Sequence, residues 1–240
     1  FLAEQHQCMP GSVTFADGEV LAGAARMPFA EAVRACYQGR VSLSATGFYA
    51  TPKIHWDKAQ SRGRPFYYYA YGAAVTEVAT DLLTGENRIL RTDILHDVGR
   101  SLNRAIDIGQ IEGGYVQGAG WLTTEELVWD ESGRLRTHAP STYKIPACAD
   151  RPSVFNVALF DDDENIEDTI HKSKAVGEPP LMLAISVLMA LSHALESVSG
   201  DYPMLDAPAT PERLCLAARR LGGPGAVSYT HLRAHETYDH

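Results

Sequence analysis

The 240-residue sequence predicts an α+β fold, mixed sheets with packed helices. Three observations predict it. Phe66 to Asp81 and Arg88 to Val98 are rich in aromatic and β-branched residues, and Leu83-Thr84-Gly85-Glu86 between them reads as a turn, so the pair forms a hairpin. Ala105 to Glu126 carries a helical period, with Ile108, Ile111, Tyr115, Ala119 and Leu122 on one stripe. Pro179 to Ser197 reads as a helix apolar almost all round as far as Leu191, and such a helix is expected to be buried.

The remaining elements follow from local signals. Leu2, Ala3, Glu4 and Gln5 have helical composition right behind Phe1, which implies a fragment or a processed subunit. Pro28 to Gln38 reads as an amphipathic helix, with Phe29, Val33 and Cys36 or Tyr37 on one face. Val41 to Tyr49 alternates apolar and polar residues and suggests a strand. Thr51-Pro52 ends it, because the residue before a proline is pushed out of the helical region. Ser61 to Pro65 is a loop, and Leu127 to Asp130 with Arg134 to His138 is a second hairpin around Glu131-Ser132-Gly133. Val154 to Phe160 is a strand. The acidic run Asp161 to Glu164 behind it lacks the central glycine of a calcium loop and reads as a solvated turn. Gly200 stops the apolar helix, and Thr210 caps a last helix over Pro211 to Leu221. Residues 1–222 form one domain in this reading. Residues 223–240, behind Gly222-Gly223-Pro224-Gly225, share no pattern with what precedes them and read as a non-native or disordered tail. A metal pair at His231 and His235 in that tail lacks a third ligand.

Composition narrows the function. A net charge of −9, with 21 basic residues scattered among 30 acidic ones, argues against nucleic acid, which needs clustered Lys and Arg. Cys8, Cys36, Cys148 and Cys215 are far apart with no CxxC pair, so no local zinc or iron–sulfur site is built from them, and they read as reduced thiols. The run Leu181 to Leu191 falls short of the ~20 residues a bilayer requires, and a cytoplasmic location is the expectation.

Two segments carry candidate chemistry. Gly109, Gly113, Gly114, Gly118 and Gly120 all fall inside the predicted 105–126 helix. Each glycine costs a helix about 1 kcal/mol against alanine, roughly 5 kcal/mol for the five, so something must approach the backbone closely. The approach is either tight helix packing or a bulky cofactor. Gln110 and Gln117 lie seven residues apart on one face of that helix, and their amides can donate to and accept from a heterocycle edge. In Lys174-Ala175-Val176-Gly177-Glu178-Pro179-Pro180, the two prolines suit a first helical turn and put Glu178 at the helix mouth. The helix dipole favours its charge, whereas Leu181, Met182 and Leu183 are expected to desolvate it, a balance that suits a general base. A capping glutamate is the plainer alternative.

From about Pro28 to Arg220 the chain resembles the xanthine oxidase/aldehyde oxidase family, specifically the molybdenum-cofactor subunit of bacterial xanthine dehydrogenases, C-terminal half. The resemblance rests on VSLSATGFY (41–49), LRTDILHDVGRSLN (90–103), AIDIGQIEGG (105–114), WLTTEE (121–126), PSTYKIP (140–146), SKAVGEPP (173–180) and LDAPATPE (205–212), all in the family's order. It implies that Glu178 is the catalytic base, that Gln110 binds the pterin of the molybdenum cofactor (molybdopterin), and that Gly177 lies beside it. It further implies oxidation of xanthine or hypoxanthine with water-derived oxygen and hydride transfer to the metal's sulfido group. Electrons then pass through Fe–S clusters and FAD on another domain or subunit to NAD, in a hetero-oligomer. An aldehyde or N-heterocycle hydroxylase of the same family is the second reading, and a catalytically incomplete structural fragment the third. The family's other active-site residues precede Phe1, so the chain alone is expected to be inactive. One departure stands at Asn103-Arg104, where the family has proline after Asn and where the helix entry is expected to loosen.

Overall fold

The computed structural model describes residues 1–160 and 164–223. Its contacts divide the chain into two compact units, Phe1–Lys53 and Ile54–His240. The predicted tail, apart from Gly223, and Asp161 to Asp163 of the acidic run lie outside the described residues.

The first unit opens with a one-turn helix, α1 (Leu2–Gln5), and an antiparallel sheet of β1 (Thr14–Ala16), β2 (Glu19–Ala22) and β3 (Ala25–Pro28). Helix α2 (Phe29–Gln38) follows, and Leu2, Val20, Ala22 and Ala32 form a small core among them. The sheet was not legible in advance: its strands are three or four residues long, too short to display a period of two. Val41 to Tyr49 is irregular instead of a strand, and Leu43, Phe48 and Tyr49 are exposed. Alternation supplies a face but not a partner, and a strand without a ladder leaves its backbone groups to water.

The second unit starts with a short hairpin, β4 (His55–Asp57) and β5 (Arg62–Arg64). Its main sheet has the order β6-β7-β8, built from β6 (Gly72–Thr80), β7 (Asn87–His96) and β8 (Val154–Leu159). β6 and β7 make the predicted antiparallel hairpin, with a bulge at Glu77/Val78. The aromatic run Phe66 to Tyr71 stays outside the strand. β8 joins β7 in parallel, a pairing that needs a crossover. That crossover contains α3 (Arg104–Thr123), the glycine-rich helix. The 127–138 segment keeps only a single bridge, Trp129 to Leu135, and its turn is held by Asp130 Oδ1, which accepts from Ser132 N and Arg134 N, both at 3.0 Å.

The apolar helix has two parts, a 3-10 turn over Pro179–Ala184 and α4 (Ile185–Ser199). Val187, Leu191 and Leu195 are fully buried, yet Met182, Ile185 and Met189 stand about half exposed, so the helix buries one face and not its whole circumference. By length and composition alone the Pro179–Ser199 segment could cross a membrane. Gly200 ends it in a left-handed conformation, and α5 (Pro211–Arg220) closes the unit with Thr210 Oγ1 accepting from Arg213 N. The core gathers Ile89, Ile94, Ile111, Tyr115, Leu159, Val187, Leu191 and Leu214 between sheet and helices. The fold class is the α+β arrangement expected, with open mixed sheets and packed helices.

Candidate functional site

α3 positions one half of the site. Its entry is not loosened by the missing proline: Asn103 Oδ1 accepts from Ala105 N (3.2 Å) and Ile106 N (3.3 Å), which makes it a proper N-cap. Ile111, Tyr115 and Ala119 turn into the core, as the periodicity required. Tyr115 also reaches a polar knot there. Its hydroxyl lies 2.8 Å from Thr92 Oγ1 and 2.9 Å from Thr76 Oγ1, and Thr76 Oγ1 lies 2.7 Å from Ser186 Oγ. Sheet, α3 and α4 are thereby tied at one point. Nothing in the linear pattern announced it, because each hydroxyl comes from a different element.

The glycines of α3 divide into packed and open positions, and the packed ones bear out the expected tight helix packing. A Cβ on Gly118 would strike the Leu181 carbonyl oxygen and lie 2.7 Å from Ala184 Cβ, and one on Gly114 would lie 3.2 Å from Pro180 Cβ. Those two glycines let the 3-10 turn pack directly on the helix backbone. Gly109 and Gly113 are different: nothing comes within 4 Å of where their Cβ atoms would be. Gln110 and Gln117 are exposed on the same side, with no hydrogen-bond partner among the described residues. The helix therefore presents an open strip of bare backbone flanked by two free amides.

The 3-10 turn brings in the other half. Gly177 stands next to Gln110, since a Cβ on Gly177 would be 3.4 Å from Gln110 Oε1. Glu178 follows at the mouth of the turn. Its side chain makes no capping hydrogen bond, which removes the capping alternative. The expected desolvation does not come from its neighbours, however. Glu178 is exposed: the tight turn directs Leu183 inward, with its methyl groups near Gly72, sets the Leu181 backbone on α3 and leaves Met182 in solvent. Gly177 is thus brought into near contact with Gln110, and Glu178 follows it in the chain, exposed and making no cap. The four cysteines are free and take no part.

The residues present suit a planar polar heterocycle. An amide offers both a donor and an acceptor, and the open glycine positions admit a flat group against the helix without steric conflict.

The chain belongs to the molybdopterin cofactor-binding domain family, whose model matches residues 1–152. The matched span includes Gln110 and ends before Gly177 and Glu178. The chain is 50% identical over 190 residues to a xanthine dehydrogenase/oxidase of Felis catus, covering 76% of this chain and 14% of that protein. It is 47% identical over 201 residues to a xanthine dehydrogenase of Oryza sativa subsp. japonica, covering 79% of this chain and 15% of the relative. The sequence thus spans about one seventh of those relatives' length. Among solved structures it is similar to quinoline 2-oxidoreductase from Pseudomonas putida 86, with a TM-score of 0.59 and 24% identity over 90% of this chain and 27% of that one. It is also similar to the Cu,Mo-CO dehydrogenase, with a TM-score of 0.60 and 18% identity over 92% of this chain and 27% of that one. These structural likenesses concern the fold.

Proposed function

We propose that this chain is the C-terminal part of the cofactor domain of a molybdenum hydroxylase acting on xanthine or hypoxanthine, in the cytoplasm, with Glu178 as its catalytic base. One observation carries the reading: Gly177, the residue before Glu178 at the mouth of the 3-10 turn, stands beside Gln110 at the open strip of α3, and Glu178 makes no capping hydrogen bond. The molybdenum cofactor, when bound, would supply the two-electron redox chemistry and the metal that activates water-derived oxygen.

The chain's own residues then have defined tasks. The Gln110 amide would hold the edge of the pterin, and Gly109, Gly113 and Gly177, which carry no side chains, would leave room for it beside the helix. A Glu178 carboxylate oxygen takes up the proton released as the purine carbon is hydroxylated. A positioned base of this kind contributes about 10²–10⁴-fold. Glu178 must lose water to act, and in this reading the rest of the polypeptide, beyond the one seventh of the relatives' length seen here, covers it. In this reading the Fe–S clusters and FAD that carry electrons onward lie on other domains or subunits.

The test is Glu178→Gln in the complete enzyme. Molybdenum content stays at the level of the unaltered enzyme while purine oxidation falls about 10²–10⁴-fold. Full turnover by the variant would remove Glu178 from the role. Xanthine, hypoxanthine, an aldehyde and an N-heterocycle assayed side by side decide the substrate class.

A further inference from the structure

Glu178 is reached through a strap without regular secondary structure, Ser173 to Gly177, and an exposed carboxylate on such a strap does not position itself. The feature that fixes the strap lies four residues upstream. Lys174 Nζ meets Asp97 Oδ2 with side chains only 7% and 8% exposed, whereas other ion pairs such as Arg26–Glu19 and Lys144–Asp150 sit at the surface. Asp97 is fully engaged: its second oxygen accepts from Gly99 N at 2.7 Å. Lys174 Nζ also stands 5.5 Å from the Tyr71 ring centroid.

The backbone around the pair is laced to the end of β7. Lys174 N donates to Val98 O at 2.8 Å, Arg100 N to Lys172 O at 3.0 Å, and Gly99 bridges Ser173. Gly99 has a φ of +59°, and a Cβ there would come within 2.5 Å of Lys172 O, so the close approach demands glycine. Ala175 N donates to Tyr68 OH at 2.8 Å. Val176 packs on the core, and then Gly177 reaches Gln110.

We infer that the Lys174–Asp97 pair is a positioning device that sets the register of the strap and so holds Gly177 and Glu178 against α3. The inference rests on the role proposed for Glu178. Physical chemistry favours register over stability as the reason for the pair. Dehydrating two charges cancels most of their attraction, and well-packed apolar substitutes are often as stable, whereas the charged pair admits a single alignment. A strap shifted by one residue would bury Lys174 without its partner and turn Glu178 away from the open strip. Neither residue touches the cofactor face, so both act through Glu178.

The test is an apolar replacement of both partners, Asp97→Leu with Lys174→Met, in the complete cofactor-loaded enzyme, with hydrogen exchange read peptide by peptide. The unfolding midpoint holds, while exchange over residues 174–181 accelerates about tenfold and β7 and α5 keep their protection. kcat falls on the order of 10²-fold, as a displaced catalytic group requires, with KM within about threefold. Unchanged exchange in the strap overturns the inference, as does acceleration in every peptide alike, or fast strap exchange with kcat intact. If Glu178→Gln proves harmless, it is the base assignment that has failed, since strap exchange reads the anchor without reference to catalysis.

Discussion

The backbone of Gly118 in α3 lies directly against the carbonyl of Leu181 in the 3-10 turn, with Ala184 Cβ 2.7 Å from where a side chain would start. Gly113, five residues earlier on the same helix, faces open space. Alanine at the two positions therefore has opposite effects. Gly118→Ala overpacks the contact at a cost of about 1–3 kcal/mol, only partly offset by better helix propensity. Gly113→Ala gains up to about 1 kcal/mol in the cofactor-free chain, yet lowers cofactor retention in the complete enzyme because its methyl group enters the strip. Urea unfolding and molybdenum analysis read the two effects.

The hydroxyl knot of Thr76, Thr92, Tyr115 and Ser186 is a shared network, so its members do not add independently. Tyr115→Phe removes the hydroxyl that links both threonines and costs about 1–2 kcal/mol. Thr76→Val in the same background costs less than it does alone. A double-mutant cycle on unfolding free energy checks the coupling.

His96 ends β7 only 1% exposed, near Gly72, and burial pushes its pKa below 6.5, with the Asp97 backbone and charge opposing. The unfolded chain therefore takes up a proton near pH 6.5 that the folded chain refuses until lower pH. Protons bound to the unfolded state exceed those on the folded state in that window, so stability falls as pH drops through 6.5. His96→Leu flattens this part of the curve. Melting temperatures of both proteins between pH 7.5 and 5 give the comparison, and an unchanged slope would assign the acid sensitivity to other groups.

Glu178 makes no cap and is exposed, so Glu178→Ala changes the stability of the chain by less than about 0.5 kcal/mol. A capping glutamate would cost about 1 kcal/mol. Thermal unfolding of the chain separates the two without any activity measurement.

Much of the local structure was legible in residue order. The periodicity of Ile111, Tyr115 and Ala119 marked the buried side of α3, Gly85 the hairpin turn, Thr210 a cap and Gly200 a stop, because each of these signals acts within one or two turns of chain. Gln110, Gly177 and Glu178 were singled out from the DIGQ and GEPP segments, and the family followed from the order of such segments. The strand expected at Val41 to Tyr49 and the full burial of Pro179 to Ser197 failed for one reason. Both depend on what packs alongside, and neither ladder partner nor covering layer is written in the local pattern.

Sequence alone thus determined the main hairpin, the principal helices and the class of fold, since these follow from side-chain spacing and backbone preference. Tertiary structure alone decided which glycines are packed and which are open, that Glu178 stands free of any cap, and that Asp97 meets Lys174 across 77 residues. Such pairings depend on how the chain crosses over between β7 and β8, and short-range physical chemistry carries no record of contacts between residues so far apart.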